Sequence, residues 1–194
     1  RVQQVQCNND LVLDADLVII GIGVIPNTEL AAAAGLAIEN GIVVDEFAGT
    51  GDPDIVAAGD CTFHPNDLLG YRLRLESVPN AMEQAKTAAA TLCGKARAYH
   101  ALPWFWSDQY HIKLQIAGLS MGYDEIVVRG SPEDRKFAAF YLKNGTLIAV
   151  DAINSPPEFL ASKKLIMSGA KLSADILADT SITMKEIATN AVAA

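Results

Sequence analysis

Cysteine is scarce and scattered. Cys7, Cys61 and Cys93 are the only three in 194 residues. An odd count with no Cys-x-x-Cys excludes a disulfide framework and a thiolate zinc ribbon, and it predicts reduced thiols in a reducing compartment. Histidine is equally thin, and His64, His100 and His111 fall at no metal-ligand spacing, so no metal is expected. Basic residues are outnumbered: 15 Lys and Arg against 23 Asp and Glu leave a net charge of -8. That sign argues against nucleic acid and against an anionic membrane surface. No apolar run approaches the roughly 20 residues needed to cross a bilayer, and no secretory leader pattern is visible. The expectation is a cytoplasmic protein. Tryptophan occurs only twice, at Trp104 and Trp106.

What remains is apolar and aliphatic. Hydrophobic residues make up 51% of the chain, enough to bury one core or two small ones. Val2 to Gln6 and Leu11 to Leu13 read as strands around an Asn8-Asn9-Asp10 turn. Leu17 to Ile20 is a continuous apolar run, fitting a strand buried on both faces. Thr28 to Ala34 reads as a short helix closed by Gly35, and Ile42 to Val44 and Ile55 to Ala57 as further strands. Ser77 to Leu92 carries the clearest helix signal, with Ser77 as N-cap, Pro79 in the first turn and Gly94 beyond the end. Its expected inner face is Val78, Ala81, Met82, Ala85, Ala88, Ala89 and Leu92.

From about Tyr99 the pattern changes. Lys113 to Ala117, Ile126 to Arg129, Phe137 to Leu142 and Thr146 to Ile153 alternate or run apolar between turns such as Asn144-Gly145, which predicts an antiparallel meander. Ser155 to Ser168 and Met184 to Val192 read as helices. The fold class is therefore α/β followed by α+β, with a boundary near residue 98.

Chemistry-bearing residues are few. Asp54-Ile-Val-Ala-Ala-Gly-Asp60 is a short apolar strand that stops on Gly-Asp, delivering a carboxylate to the strand end where open α/β sheets bind ligands. Gly59 permits close backbone approach, and Asp60 can accept hydrogen bonds from sugar or ribityl hydroxyls; a turn aspartate capping backbone amides is the plainer alternative. Gly21-Ile-Gly23 is not a dinucleotide fingerprint, because Pro26 stands where the third glycine would fall. His64-Pro65 is read as loop, beside Asn66 and Asp67.

Four stretches carry a family resemblance in this order: Asp16-Leu-Val-Ile-Ile-Gly-Ile-Gly23 with Val24-Ile-Pro-Asn27, the Gly59-Asp60 strand end, Glu76-Ser-Val-Pro-Asn-Ala-Met-Glu-Gln-Ala85, and Pro103-Trp-Phe-Trp-Ser-Asp-Gln109. Together they resemble the carboxyl-terminal half of the FAD-dependent NAD(P)H:ferredoxin reductases, over nearly the whole chain. The resemblance implies the end of an NAD(P)-binding domain at 1–25, part of an FAD-binding domain at 26–98, and an antiparallel-sheet reductase domain at 99–194. It implies FAD and NAD(P)H as cofactors and a [2Fe-2S] ferredoxin as electron acceptor, serving a monooxygenase or dioxygenase.

By the same resemblance Gly59 and Asp60 contact the flavin, and Glu76, Ser77 and Val78 lie at its edge, where the positive end of a helix favours a reduced ring by ~0.3 to 1 kcal/mol or more. Trp106 is assigned to the flavin face and Trp104 to the core. No side chain is assigned as a catalytic acid or base. Glu76 is equally well explained as a solvated loop carboxylate. Lys86, Lys163 and Lys164 are candidates for ferredoxin docking, against the plainer reading of surface lysines. Both phosphate-binding loops of that family would precede Arg1, which predicts a piece of a longer polypeptide. The piece alone is not expected to be a working reductase, and a homodimer or association with an amino-terminal half would cover its apolar strands. A flavin reductase of a small molecule, of monodehydroascorbate-reductase kind, and a non-catalytic dimerisation fragment remain the alternatives.

Overall fold

The structure, a computed structural model, describes residues 1–95 and 97–193. The amino end is a hairpin of β1 (Gln4–Gln6) and β2 (Val12–Asp14), paired antiparallel around Asp10, whose φ of 61° makes the turn. Beyond it the apolar run does not form a strand. Leu17 and Ile20 are about three-quarters exposed, and Ile19 and Ile22 more so. The side chains are those of a doubly buried strand, yet no segment among the described residues pairs with them, and strand structure requires a pair. Helix α1 (Glu29–Ala33) follows as expected, with Thr28 at its cap position but making no side-chain cap bond.

A four-stranded sheet has the order β3-β4-β5-β6, from β3 (Ile38–Glu39), β4 (Gly41–Val43), β5 (Thr62–Asn66) and β6 (Tyr71–Leu73). Only β4 and β5 run parallel. Gly41, at φ 129°, allows the two to approach: a Cβ there would lie 2.6 Å from the Cys61 carbonyl oxygen. Two expectations fail here. His64-Pro65 lies within β5 rather than in a loop, because Thr62, His64 and Asn66 are the inward set and their polarity hides the alternation. Ile55 to Ala57 is no strand but a single bridge between Val56 and Gly49, again for want of neighbours.

Helix α2 (Val78–Leu92) starts where the sequence places it, with the Ser77 hydroxyl accepting from the Asn80 amide at 3.3 Å. Its orientation is the reverse of the expected one. Val78 and Met82 are 57% exposed and Leu92 67%, while Asn80, Gln84 and Thr87 are buried. The inner seam is polar because it meets loop backbone and the hydroxyls of Tyr99 and Thr62. Asn80 donates to the Leu75 carbonyl at 3.0 Å and accepts from the Tyr99 hydroxyl at 2.8 Å, and Thr91 donates to the Phe47 carbonyl at 2.6 Å.

The carboxyl-terminal sheet is built from β7 (Trp104–Gln109), β8 (Ile112–Gly118), β9 (Glu125–Ser131), β10 (Lys136–Lys143) and β11 (Thr146–Ile153), all antiparallel. Its order is β7-β8-β11-β10-β9, so it is not a sequential meander: β8 pairs with β11, and β9 is sent to the far edge. Asn144 and Gly145, at φ 50° and 75°, make the two-residue turn expected between β10 and β11. One face carries the core, where Phe140, Leu142, Val150 and Ala152 meet Phe159, Leu165, Leu177 and Ile187 from α3 (Pro156–Met167), α4 (Ala174–Ala178) and α5 (Met184–Ala193). Arg129 of β9, 5% exposed, reaches through this layer to the carbonyls of Leu177, Asp179 and Ile182, with Glu158 3.5 Å from its Nε. Among the described residues no helix is long and apolar enough to cross a membrane, and no group of ligating side chains could hold a metal.

Candidate functional site

The Gly59-Asp60 turn is joined directly to the first turns of α2 by the side chain of Gln84. Gln84 Oε1 accepts the Gly59 backbone N–H at 2.6 Å and lies 2.8 Å from the Thr62 hydroxyl, which is also 2.9 Å from the Gly59 carbonyl. Gly59 has φ 93°, a left-handed conformation that L side chains rarely adopt. Both polar groups of Gly59 are thus engaged, and Asp60 stands exposed beside them. Its carbonyl accepts from Arg74 Nη1 at 3.3 Å, and the same guanidinium nitrogen pairs with Glu76 at 2.5 Å. Glu76 therefore has a partner within the chain, while no side-chain bond among the described residues engages the Asp60 carboxylate.

The helix end supplies the complementary charge. Ser77 caps the Asn80 amide, and the Ala81 amide closes on the Ser77 carbonyl. Pro79 has no N–H, so the Val78 amide is the donor left over at the positive end of a 15-residue helix. Below it a cavity of about 310 Å³ is lined by Pro79, Asn80, Glu83, Tyr99, Trp104 and Lys163. Burial above all, with the Glu83 charge adding to it, pushes the Tyr99 hydroxyl up to about 12, so it stays a donor to Asn80. Hydrogen bonds from Lys86 and then Arg97 hold the Glu83 carboxyl below the usual range.

The aromatics converge on this cavity from β7. Trp104 and Trp106 stack at 5.4 Å between ring centroids and 30° between planes, as the two-residue period predicts for an extended segment. Trp104 packs on Phe159 and lines the cavity, and Trp106 is 40% exposed. The Lys163 ammonium sits 4.7 Å above the Trp104 ring. Lys163 lines the cavity, and Lys86 is paired with Glu83, another of its lining residues. Lys164 does not join them; it faces a separate groove of about 620 Å³ with Leu160 and Lys185.

Sequence reasoning missed Gln84, Thr62, Asn80, Tyr99, Arg74 and Arg97 as parts of this region. The available signal was the helical spacing of Asn80, Gln84, Thr87 and Thr91, a polar seam inside the best helix, which the apolar stripe on the opposite side obscured.

Known proteins resemble the chain in two parts. A family model described as pyridine nucleotide-disulphide oxidoreductase matches residues 1–85, and one described as Reductase C-terminal matches residues 104–188. Over these two ranges the chain is similar to pyridine nucleotide-disulphide oxidoreductases and to the carboxyl-terminal domain of reductases. Putidaredoxin reductase of Pseudomonas putida is 50% identical over 187 residues, covering 96% of this chain and 44% of that protein. Rhodocoxin reductase of Rhodococcus erythropolis is 44% identical, covering 95% and 43%. The crystal structure of a covalent putidaredoxin reductase-putidaredoxin complex superposes with a TM-score of 0.92 at 49% identity, covering 99% of this chain and 46% of that one. The chain spans about half the length of these curated relatives.

Proposed function

We propose that the chain is the flavin-edge and partner-facing half of an FAD-dependent reductase that passes electrons from NAD(P)H to a [2Fe-2S] ferredoxin, which serves a monooxygenase or dioxygenase. The observation that carries the reading is the joining of the Gly59-Asp60 turn to the amino end of α2, beside the Trp104-Trp106 stack. In this reading residues 1–25 end the NAD(P)-binding domain, 26–98 belong to the FAD-binding domain and 99–194 form the reductase domain. The setting is cytoplasmic.

The residues present fit the cofactor. Asp60 offers an unengaged carboxylate to ribityl hydroxyls, and Gly59 has no side chain to obstruct them. The Val78 amide and the helix end of α2 favour negative charge at the flavin edge. Trp106, with Trp104 behind it, excludes water from the ring and lines the side toward the acceptor. FAD when bound supplies the redox chemistry, taking a hydride and releasing electrons singly. The chain's residues need supply no acid or base. Lys86 and Lys163 give an acidic ferredoxin local positive charge against the overall -8, and Lys164 lies on a different groove.

The test is made in the full-length polypeptide. Asp60→Ala is expected to lower flavin occupancy, read as 450 nm absorbance per protein, and Trp106→Ala to change the flavin spectrum or the rate of ferredoxin-dependent cytochrome c reduction. Full flavin retention in Asp60→Ala, with unaltered spectrum and electron release in Trp106→Ala, would refute the site.

A further inference from the structure

We infer that Gln84 is the positioning residue of the flavin site, the side chain that sets the distance between the Asp60 carboxylate and the positive end of α2. The inference rests on the flavin reading above and adds to it a residue that itself need not touch the cofactor. Gln84 lies on the second turn of α2, facing away from the Val78 and Met82 stripe, and is 2% exposed. Its Oε1 is the acceptor for the Gly59 N–H at 2.6 Å, and the Thr62 hydroxyl lies beside it at 2.8 Å. Glycine at position 59 has φ 93° and no side chain to wedge it in place; its nearest helix neighbour would be Ala81 Cβ, 3.7 Å from an added Cβ. Packing therefore does not fix the turn against the helix, and hydrogen bonding must.

Two other features show that this bond acts in positioning as well as in stability. The Gly59 carbonyl is tied locally, by the Thr62 amide at 3.0 Å and hydroxyl at 2.9 Å, so the turn keeps its own shape without Gln84. The start of α2 is anchored independently, by Asn80 to the Leu75 carbonyl and the Tyr99 hydroxyl. Gln84 links these two separately formed pieces directly, beside the longer tie that Arg74 makes from the Asp60 carbonyl to Glu76 ahead of the helix. Remove its acceptor and each persists, but the carboxylate and the helix end lose their common register, and the Gly59 N–H is left without a partner in a buried place. A cofactor that must meet both at once is then bound less tightly, and the helix end is less well aimed at the ring.

Gln84→Met keeps the length and volume of the side chain and removes the acceptor; Gln84→Glu keeps an acceptor oxygen. In the full-length protein, stripped of flavin and titrated with FAD by flavin fluorescence, Gln84→Met is expected to weaken binding by about 10- to 100-fold and to make the flavin midpoint potential more negative. Gln84→Glu is expected to recover most of the affinity. Thr62→Val, which leaves the Gly59 to Gln84 bond intact, is expected to change it far less. Wild-type affinity and potential in Gln84→Met would overturn the inference while Asp60→Ala still loses flavin; retention of flavin by Asp60→Ala would instead sink the site reading. A fall in the melting temperature of the flavin-free protein with unchanged FAD affinity would also overturn it, since Gln84 would then be structural alone.

Discussion

Arg129→Met removes the one side chain that ties three stretches of the carboxyl-terminal layer together. Its guanidinium donates to the Leu177 carbonyl at 3.2 Å, the Asp179 carbonyl at 2.5 Å and the Ile182 carbonyl at 2.6 Å, and faces Glu158. Hydrogen bonds to a charged group are worth ~1.5 to 3 kcal/mol each, which would sum to far more than the true loss. Asp179 is exposed and Ile182 half-buried, so their carbonyls can turn to water. The Leu177 carbonyl, on a fully buried residue, cannot readily do so, and Glu158 is left without its cation in a site where its side chain is 21% exposed. Breaking a buried pair from one side costs ~3 to 5 kcal/mol, and that range is expected here. With an m-value of about 2 kcal/mol/M, the urea midpoint should fall by about 2 M. Arg129→Lys should recover less than half, because a single ammonium cannot face carbonyls at 177, 179 and 182 together. Amide exchange should quicken first across residues 177–183. A loss below about 1 kcal/mol at unchanged m would show that the clamp is dispensable and refute the argument.

Two further expectations concern the fold. Gly118 has φ 76°, and a Cβ there would lie 2.0 Å from the Ile148 carbonyl oxygen, so Gly118→Ala should force β8 away from β11 and cost ~2 to 4 kcal/mol by urea denaturation; wild-type stability would count against the close approach. His64 is 2% exposed, its Nδ1 lies 2.9 Å from the Pro65 carbonyl, and its Nε2 has no partner among the described residues. Burial first, with a smaller contribution from Arg72, holds it below its ordinary 6.5 despite the Pro65 contact. The unfolded chain then takes up the proton first as pH falls, so this contribution to stability is complete above pH 6.5 and is lost as pH drops through the window toward the folded value. Unfolding free energies measured at about pH 7.5 and about pH 5.5 should differ in the wild type and converge in His64→Gln; equal slopes for both proteins would contradict the assignment.

Local signals were legible because their causes are local. The Ser77 cap, Gly94 after the helix and the Asn144-Gly145 hairpin depend on a few neighbouring residues, and each is found where the sequence places it. Signals that depend on distant partners failed. Leu17 to Ile20 and Ile55 to Ala57 have strand chemistry without strand neighbours, and the pairing of β8 with β11 is invisible to a pattern that only says strand, turn, strand. The site divides the same way. Gly59, Asp60 and the tryptophans stand out by residue type, whereas Gln84 acts through an acceptor oxygen 25 positions from its partner, and the polar seam it belongs to marks a buried face without naming that partner. The helix itself misled, because the apolar stripe taken for its inner face is the one it shows outward.

The strand order of the carboxyl-terminal sheet dictates how it can assemble in time. The two-residue turn lets β10 and β11 zip together on the timescale of an isolated hairpin, about 1 to 10 μs. The short Pro132 to Arg135 connection then adds β9 to the outer side of β10 with little extra chain to close. β8 has its own hairpin partner in β7, across the two-residue Tyr110-His111 turn, but that hairpin must wait for the β9-β10 excursion to come back and present the free edge of β11 before it can dock. β7, with both tryptophans, reaches the sheet through β8 as part of that hairpin. The tryptophans beside the proposed flavin site thus sit on the hairpin that docks through the longest chain closure, at an edge of the sheet open to early fraying.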